Sequence, residues 1–253
     1  MPQIGDVLDE TFSIVSLLGE GAAGIAYEVS LARPWAGFEV GTRFCLKWYK
    51  GEVFKREPVA TVVARRIREA VTGGRLHHAN LVRIHDTSEF WSDGQPRFLL
   101  MDLVGGEQLD TYIRGHQPSV AEARNIMSQL AHGVKALHEN AIIHRDIKSA
   151  NIVIDRDGHC VVLDLGVIRP GDEESITASQ AFLGTLKYAS PEYLFAESCT
   201  ESSDIYSLGA VFFELLTGSE MFPGVRNFAL LVEAVRLGNF RLPDADDGKQ
   251  KGT

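Results

Sequence analysis

The sequence has little cysteine and little positive charge, and each shortage argues against a class of protein. Its three cysteines, Cys45, Cys160 and Cys199, lie far apart without a CxxC pair, so neither a zinc site nor a disulfide framework is indicated. Lysine and arginine total 25 against 34 aspartates and glutamates, which gives a formal net charge of −9. A chain this acidic is not expected to bind nucleic acid or an anionic membrane non-specifically.

Long apolar segments are lacking as well. The most apolar stretch, Ala210 to Leu216, contains Glu214 and is too short to cross a bilayer. No basic segment with an apolar core follows Met1, so a secretory signal is not indicated. We therefore expect a cytoplasmic protein with reduced thiols and no membrane segment in this chain. Its 253 residues are enough for one large domain or two lobes.

The first hundred residues have the pattern of strands, with one helix among them. The segment from Glu57 to Val71 carries apolar residues at helical spacing and predicts that helix. The predicted strands are rich in apolar, β-branched and aromatic residues and are separated by turn residues. They are Phe12 to Leu18, Ala26 to Leu31, Thr42 to Tyr49, Leu81 to Ile84 and Arg97 to Leu103.

Beyond Gly105 and Gly106 the pattern becomes helical. Ser119 and Glu122 form a capping-box signature ahead of apolar residues at helical spacing. Ser203 to Thr217 is apolar almost all round, which predicts a buried helix that ends at Gly218. We expect one domain over residues 1–253, with a strand-rich lobe at 12–103, a helical lobe at 104–243 and a polar tail at 244–253.

Chemically active side chains are concentrated in the run His144-Arg145-Asp146-Ile147-Lys148-Ser149-Ala150-Asn151, followed thirteen residues later by Asp164-Leu165-Gly166. Moving a phosphoryl group from a magnesium nucleotide requires a carboxylate for the attacking hydroxyl, ligands for the metal and a cation near the phosphate. The spaced set resembles the catalytic and metal-binding loops of protein kinases. The resemblance covers Phe12 to about Leu242 and predicts an α+β, bilobal kinase fold with a small antiparallel sheet, one regulatory helix and a mainly helical second lobe.

A glycine-rich segment, Gly19-Glu20-Gly21-Ala22-Ala23-Gly24, lies between two predicted strands. The same spacing opens a dinucleotide-binding fold, but there the glycines lead into a helix. Here Ile25 to Val29 has the pattern of a strand, so a strand–loop–strand lid over phosphates is favoured. Lys47, on the third predicted strand, is expected to face the phosphates with Glu69 as its carboxylate partner.

The resemblance also implies a role for each residue of the central motifs. Asp146 would accept or orient the proton of the substrate hydroxyl, and Lys148 would contact the γ-phosphate of ATP. Asn151 and Asp164 would hold Mg²⁺, with Mn²⁺ as an alternative metal. Lys148 and Thr185 both resemble serine/threonine-specific members of the family. The implied activity is transfer of phosphate from Mg-ATP to serine and threonine hydroxyls of proteins.

Two further positions resemble structural landmarks of the kinase family. Ala189-Ser190-Pro191-Glu192 resembles the motif that closes the activation segment, and Asp204 resembles the buried aspartate that anchors the catalytic loop. His144 is expected to be a packing residue rather than a base. Gly184 to Glu192 is expected to form a docking platform for a peptide.

The nucleotide pocket is implied by the same resemblance. Met101 would be the gatekeeper residue beside adenine, and the backbone of Asp102 and Val104 would bind the edge of the base. Gln108 stands where many kinases have an acidic residue that contacts ribose. The full set of implied ATP-binding residues is Gly19, Glu20, Gly21, Gly24, Ala26, Cys45, Lys47, Met101, Asp102, Val104, Val153 and Asp164.

Regulation by phosphorylation is expected from three arginines. Arg145, Arg65 and Arg169 match positions where kinases gather cations around a phosphate on the activation loop. Thr177 and Ser179 are the expected acceptors, at a spacing that resembles bacterial eukaryotic-like kinases. The alternative is that these arginines are solvated, with Asp172-Glu173-Glu174 supplying anions.

Two departures from the family pattern leave other functions open. Gly73 stands where kinases place an apolar side chain that links the lobes, and the residues after Leu242 are polar where a kinase lobe continues with helices. We expect self-association or an adjoining domain to complete that lobe. A pseudokinase or nucleotide-binding scaffold is the first alternative function, and a small-molecule phosphotransferase is the second.

Overall fold

The computed structural model describes residues 1–21, 24–49, 67, 74–87, 98–164, 186–195 and 197–239. Within these ranges the elements before Val104 are almost all strands, and helices predominate after it. The strands are β1 (Val7–Leu8), β2 (Phe12–Glu20), β3 (Gly24–Leu31), β4 (Arg43–Tyr49), β5 (Ile84–Thr87), β6 (Phe98–Asp102), β7 (Glu107–Gln108), β8 (Ile152–Ile154) and β9 (Cys160–Val162). The helices are α1 (Leu109–Gly115), α2 (Val120–His138), α3 (Pro191–Leu194), α4 (Glu201–Thr217) and α5 (Phe228–Leu237).

The first six strands form one antiparallel sheet in the order β1-β2-β3-β4-β6-β5. Alternate residues of β3 are buried, because successive side chains of a strand point to opposite faces. Ile25, Tyr27, Val29 and Leu31 enter one core with aromatic residues of the neighbouring strands. The segments rich in apolar, β-branched and aromatic residues therefore predicted β2, β3, β4 and β6 to within a few residues.

One predicted strand was misplaced. The segment from Leu81 to Ile84 was expected to be a strand, but the strand begins at Ile84 and continues to Thr87. Leu81 instead forms an isolated parallel bridge with Val162 of β9, and Val82 N donates to Val162 O at 3.0 Å. Leu81 and Val82 therefore contact β9 instead of pairing within the sheet of the first lobe. Because β9 is distant in sequence, no local pattern indicates this contact.

The helical lobe is built on α2 and α4. The expected capping box is present, since Ser119 Oγ accepts from Glu122 N and the Glu122 carboxylate accepts from Ser119 N. Helix α4 ends at Gly218, whose φ of +67° lies in the left-handed region that glycine tolerates. Ile205 on α4 is 58% exposed, so this helix is less completely buried than its composition predicted.

A polar network joins the segment before β5 to the helical lobe. Asn80 Nδ2 donates to Cys160 O at 2.8 Å and to Gln129 Oε1 at 3.0 Å. Gln129 Oε1 also accepts from Cys160 N. Cys160 is the first residue of β9, and Asp164 follows β9 after Leu163, so this network fixes the strand that leads to the expected metal ligand. In the part of the chain that the structure describes, no helix is long and apolar enough to cross a membrane.

Candidate active site

The loop that carries the central motif is held from below by one buried carboxylate. Asp204 on α4 is completely buried, and it accepts from His144 N and Arg145 N at 2.8 Å each. His138, the last residue of α2, lies 2.7 Å from the same carboxylate through Nε2. The expectation that Asp204 anchors the catalytic loop therefore agrees with the contacts.

His144 is fully buried and both ring nitrogens contact backbone groups. Asp146 N donates to His144 Nδ1 at 3.3 Å, which makes Nδ1 an acceptor, so Nε2 carries the proton that is donated to Leu163 O at 3.0 Å. This histidine joins the catalytic loop to the residue before Asp164. The geometry agrees with the expected structural role and leaves neither nitrogen for proton transfer.

Three side chains of the catalytic loop meet at one carboxylate oxygen. Asp146 Oδ2 accepts from Lys148 Nζ at 2.9 Å and from Asn151 Nδ2 at 2.9 Å, and Asn151 Nδ2 also donates to Asp146 O at 2.8 Å. Among the described contacts, none is made by Asp146 Oδ1. The loop thus holds its carboxylate in a fixed orientation with one oxygen left for a ligand.

Lys47 and Asp164 form an ion pair across the two lobes, between residues 117 positions apart. Burial would raise the pKa of the Asp164 carboxyl, but attraction and hydrogen bonding from Lys47 outweigh it, so its pKa lies below the usual value. The carboxylate is therefore charged at neutral pH. Asp164 also has φ of +51°, a conformation that is uncommon for a non-glycine residue and that recurs at functional sites.

The donor atoms present fit a hard divalent cation. Asn151 uses its amide nitrogen for Asp146, which leaves the amide oxygen as the atom able to bind a metal. Asp164 supplies an ionised carboxylate, and Leu163 N donates to Asn151 O at 2.8 Å, which brings the two side chains into one neighbourhood. Carboxylate and amide oxygens are ligands that Mg²⁺ and Mn²⁺ accept.

The glycine-rich segment is a hairpin between β2 and β3, as the sequence predicted. Gly19 pairs with Ala26, and Glu20 with Ile25, on antiparallel strands. Gly21 N donates to Gly24 O at 2.9 Å, whereas residues 22 and 23 lie outside the described ranges. A Cβ atom on Gly24 would lie 2.2 Å from Trp48 O, so β4 approaches too closely for any other residue.

The expected adenine-facing residues of the first lobe lie on the adjacent strands β3, β4 and β6. Cys45 pairs with Met101 between β4 and β6, and Ala26 pairs with Lys47 between β3 and β4. Val153 is buried on β8. Burial raises the pKa of the Cys45 thiol to about 11, so this thiol is protonated at neutral pH.

Gln108 joins the end of the hinge to the catalytic loop. Its Nε2 donates to Ala150 O at 3.1 Å, the carbonyl one residue before Asn151. The amide nitrogen is therefore already committed to a protein acceptor.

A hydrogen-bonded chain beneath the catalytic loop was missed by the sequence analysis. Tyr188 OH donates to Glu214 Oε2 at 2.7 Å, so Ser149 Oγ, 2.9 Å away, must donate to Tyr188 OH. Burial raises the pKa of the Glu214 carboxyl, although the hydrogen bond from Tyr188 opposes that effect. The only sequence signal was Glu214 within an apolar run, which indicates a buried acid but not its partners.

Glu192 also has a partner that the sequence did not indicate. Ser203 Oγ donates to Glu192 Oε1. Ser203 lies in the first turn of α4, one residue before Asp204. The start of α4 therefore supports both the catalytic loop and the helix α3.

Several expected site residues lie outside the described ranges: Glu69, Thr185, Thr177, Ser179, Arg65, Arg169 and Gly73. The Lys47–Glu69 pair and the phosphorylation sites therefore stay predictions. Arg145 is described, and its Nε is buried without a hydrogen-bond partner among the described residues. A buried guanidinium group in this condition has capacity for an anion.

An antiparallel sheet lobe and a helical lobe, with a lysine–aspartate pair between them and aspartate, lysine and asparagine in one loop, define the bilobal phosphotransferase class of fold. A family model described as "Protein kinase domain" matches residues 12–241. The chain belongs to the protein kinase family.

Curated relatives carry the resemblance to bacterial members. The chain is similar to the probable serine/threonine-protein kinase PknB of Lactococcus lactis, 31% identical over 227 residues that are 88% of this chain and 34% of the relative. It is similar to PrkC of Bacillus subtilis, a serine/threonine-protein kinase, at 39% over 163 residues, 64% of this chain and 25% of the relative. PknA of Mycobacterium tuberculosis, also a serine/threonine-protein kinase, is 29% identical over 226 residues, 88% of this chain and 50% of the relative. The chain thus spans half the length of these relatives or less.

Proposed function

We propose that this chain is a serine/threonine protein kinase that transfers the γ-phosphoryl group of Mg-ATP to protein hydroxyls. The observation that carries the proposal is the state of Asp146, whose Oδ2 is held by Lys148 and Asn151 while its Oδ1 receives no described contact. A carboxylate fixed in this way can accept a hydrogen bond from a substrate hydroxyl and orient it for attack. The family and its named relatives support the same activity.

The remaining residues supply charge where the reaction develops it. Lys148, which donates to Asp146, would lie beside the attacking hydroxyl and contact the γ-phosphate. Lys47 would contact the other phosphates once its ion pair with Asp164 opens. Asn151 and Asp164 would hold the magnesium ion, which when bound neutralises phosphate oxygens. On nucleotide binding, Lys47 would exchange Asp164 for the phosphates, and Asp164 would exchange Lys47 for the metal ion. One ion pair would thus be replaced by two new ones.

Specificity for serine and threonine, and regulation, are finer parts of the proposal. Lys148 supports the specificity, together with Thr185 from the resemblance. The buried Nε of Arg145 supports activation by phosphate on Thr177 or Ser179, because an anion nearby would satisfy it. Equal activity of the loop-phosphorylated protein and of a Thr177→Ala/Ser179→Ala variant would contradict this part.

Location and partners complete the proposal. We place the protein in the cytoplasm, where ATP is available, and this is supported by the lack of any disulfide bond among the described cysteines. We also propose that self-association or an adjoining domain covers the helical lobe, because Ile205 and Leu237 are 58% and 62% exposed. Sedimentation of the purified chain at several concentrations tests self-association.

The pseudokinase alternative is weakened by the described contacts. Asp146, Lys148, Asn151 and Asp164 are not only present but joined to one another or to Lys47. A nucleotide scaffold would not need a lysine on its catalytic aspartate. A small-molecule phosphotransferase is also disfavoured, because the segment from Gly184 to Glu192 is expected to dock a peptide. The anchoring of Tyr188 on α4 supports that expectation.

The experiment that tests the proposal is phosphate incorporation from Mg-ATP into the purified protein and a generic protein substrate, with sites mapped by mass spectrometry. Asp146→Asn is the matched control, since it keeps the shape and should lower the rate by about 10²- to 10⁴-fold. Incorporation that disappears in Asp146→Asn supports the kinase. Nucleotide binding without incorporation would support the pseudokinase, and transfer to small alcohols or aminoglycosides alone would support the second alternative.

A further inference from the structure

The connection between β3 and β4 folds into a tight hairpin of its own. Trp35 N donates to Phe38 O at 3.1 Å and Phe38 N donates to Trp35 O at 2.8 Å. Between them Ala36 and Gly37 have φ of +49° and +87°, the positive values that a type I′ turn requires at both central positions. This local geometry sets the direction in which the two aromatic rings leave the hairpin.

The two rings pack on the aromatic residues of the sheet. The Trp35 ring lies 5.6 Å from Phe12 and 6.3 Å from Phe44, in both cases edge to face, and Phe38 lies 5.1 Å from Phe44 in the same geometry. Edge-to-face pairs at these centroid distances are attractive beyond their buried area. The connection is therefore fixed to the sheet as a rigid cover.

His85 on β5 completes this aromatic cluster. Its ring lies 5.1 Å from Phe38 and 5.0 Å from Phe44, both edge to face, and its side chain is only 6% exposed. Its Nε2 lies 2.5 Å from Asp102 Oδ1, and because a carboxylate only accepts, Nε2 donates. Water cannot readily replace this contact on the histidine side.

Asp102 is the residue at which the sheet ends and the hinge begins. It is the last residue of β6 and follows Met101, it pairs with Phe44 across the strands, and its N donates to Arg83 O at 2.9 Å. The backbone around it is the part that is expected to meet the purine. His85 therefore holds the side chain of Asp102, the residue at which the sheet leads into the hinge that is expected to bind adenine.

We propose that His85 is a positioning residue for nucleotide binding, which orients Asp102 and so presents the hinge backbone to adenine in a fixed conformation. This inference rests on the proposed kinase function. The hairpin rings of Phe38 and Trp35 hold the imidazole in place, and the imidazole holds the carboxylate. Pre-organisation of this kind improves affinity because less conformational freedom is lost on binding.

Loss of the His85–Asp102 hydrogen bond is expected to alter the orientation of Asp102 and the hinge rather than the free energy of unfolding. The Asp102 side chain is 50% exposed, so without His85 its carboxylate can be solvated. A phenyl ring at position 85 would keep the packing on Phe38 and Phe44 while removing the donor. The loss should therefore appear in nucleotide affinity and KM for ATP, with turnover at saturating ATP unchanged.

The experiment is calorimetric titration of the purified chain with Mg-ADP, together with ATP-dependent kinetics. The variants are His85→Phe, His85→Gln, Asp102→Ala and the double variant His85→Phe/Asp102→Ala. We expect His85→Phe and Asp102→Ala each to weaken binding by roughly three- to tenfold, the range for one hydrogen bond. The double variant should be no weaker than either single one, and His85→Gln, which keeps a donor, should recover part of the affinity.

The matched control is His132→Phe, which changes an exposed histidine of α2 and should leave affinity unchanged. Additive losses in the double variant, or unchanged affinity in Asp102→Ala, would overturn the inference while leaving the kinase proposal intact. Asp102→Ala alters an exposed side chain, so it decides the matter even if a position 85 variant does not fold. A wild-type protein that binds no nucleotide would overturn both proposals.

Discussion

The catalytic loop and the sheet of the first lobe are held in place in opposite ways. The loop depends on polar contacts from distant elements: Asp204 accepts from His144 N and Arg145 N, which lie 60 and 59 residues away in the chain. The sheet depends on buried apolar residues of adjacent strands, such as Leu46 between β3 and β6. Polar anchors specify direction, whereas apolar packing specifies mainly burial and volume. Substitutions in the loop should therefore lower both turnover and stability, whereas substitutions in the sheet should lower mainly stability.

The largest effect is expected from Asp204→Ala. Removing this buried carboxylate leaves two backbone N–H groups and the His138 ring without an acceptor, which should cost about 3–5 kcal/mol of unfolding free energy. The loop it orients should shift as well, and a displacement of about 1 Å can lower turnover about 100-fold. Urea unfolding and kinase kinetics measure the two losses.

Leu46→Ala is the counterpart in the sheet and sharpens the comparison. It deletes a completely buried side chain and should cost about 2–5 kcal/mol, with turnover per folded molecule close to that of the wild type. Asp204→Asn, which keeps one acceptor oxygen, should lie between wild type and Asp204→Ala. If Asp204→Ala and Leu46→Ala show the same loss of turnover for a given loss of unfolding free energy, the proposed difference between polar and apolar support is wrong.

A smaller, pH-dependent effect is expected from Tyr188→Phe. The change leaves Glu214 and Ser149 without the shared hydroxyl and should cost about 1–3 kcal/mol at neutral pH. Burial already raises the pKa of Glu214, and the Tyr188 hydrogen bond opposes this, so its loss raises that pKa further. A carboxyl whose pKa is raised in the folded state lowers the free energy of unfolding as pH rises from the ordinary pKa to the raised one, because over that range only the unfolded chain ionises. Urea unfolding should show a greater cost at pH 8 than at pH 4.5.

The same variant distinguishes support of the peptide platform from support of the nucleotide site. Tyr188 lies in the segment expected to dock the peptide, so KM for a protein substrate should rise while affinity for Mg-ADP is unchanged. Ser149→Ala removes the other half of the hydrogen-bonded chain and serves as the control. It should also raise KM for the protein substrate, but by less than Tyr188→Phe does. A cost that is independent of pH would argue against an ionised Glu214.

The smallest effect concerns reactivity in the sheet. Cys45 has a pKa raised by burial to about 11 from an ordinary 9.0, so its thiolate population at pH 8 is about 100-fold below that of an ordinary thiol. Alkylation by iodoacetamide, followed by mass spectrometry, should be slow at pH 8 and accelerate as pH approaches 11. Mg-ATP should slow it further. Rapid alkylation at pH 8 that Mg-ATP does not prevent would place the thiol outside the nucleotide pocket.

The sequence predicted those parts of the molecule whose cause is local. Segments rich in apolar, β-branched and aromatic residues indicated β2, β3, β4 and β6, and the Ser119–Glu122 capping box indicated the start of α2. The spacing from Asp146 to Asp164 named the central site, although the roles of these residues stay proposals. The first strand, β1, was not predicted because two residues are too few to produce a pattern.

The contacts that sequence reasoning missed join residues far apart in the chain. Ser149 and Tyr188 are 39 residues apart, and His85 and Asp102 are 17 apart on neighbouring strands. Neither pair has a composition or period that would indicate it. The same holds for Leu81, which pairs with Val162 rather than continuing β5.

By itself the sequence determined the division into a strand-rich and a helical part, the kinase family and the residues available for phosphoryl transfer, because side-chain periodicity and motif spacing are properties of the chain. Only the tertiary structure decided which partner each polar group has. It placed Lys47 on Asp164, Ser203 on Glu192 and His85 on Asp102. At least one member of each pair is largely buried and needs a protein partner, and that burial exists only once distant segments have packed together.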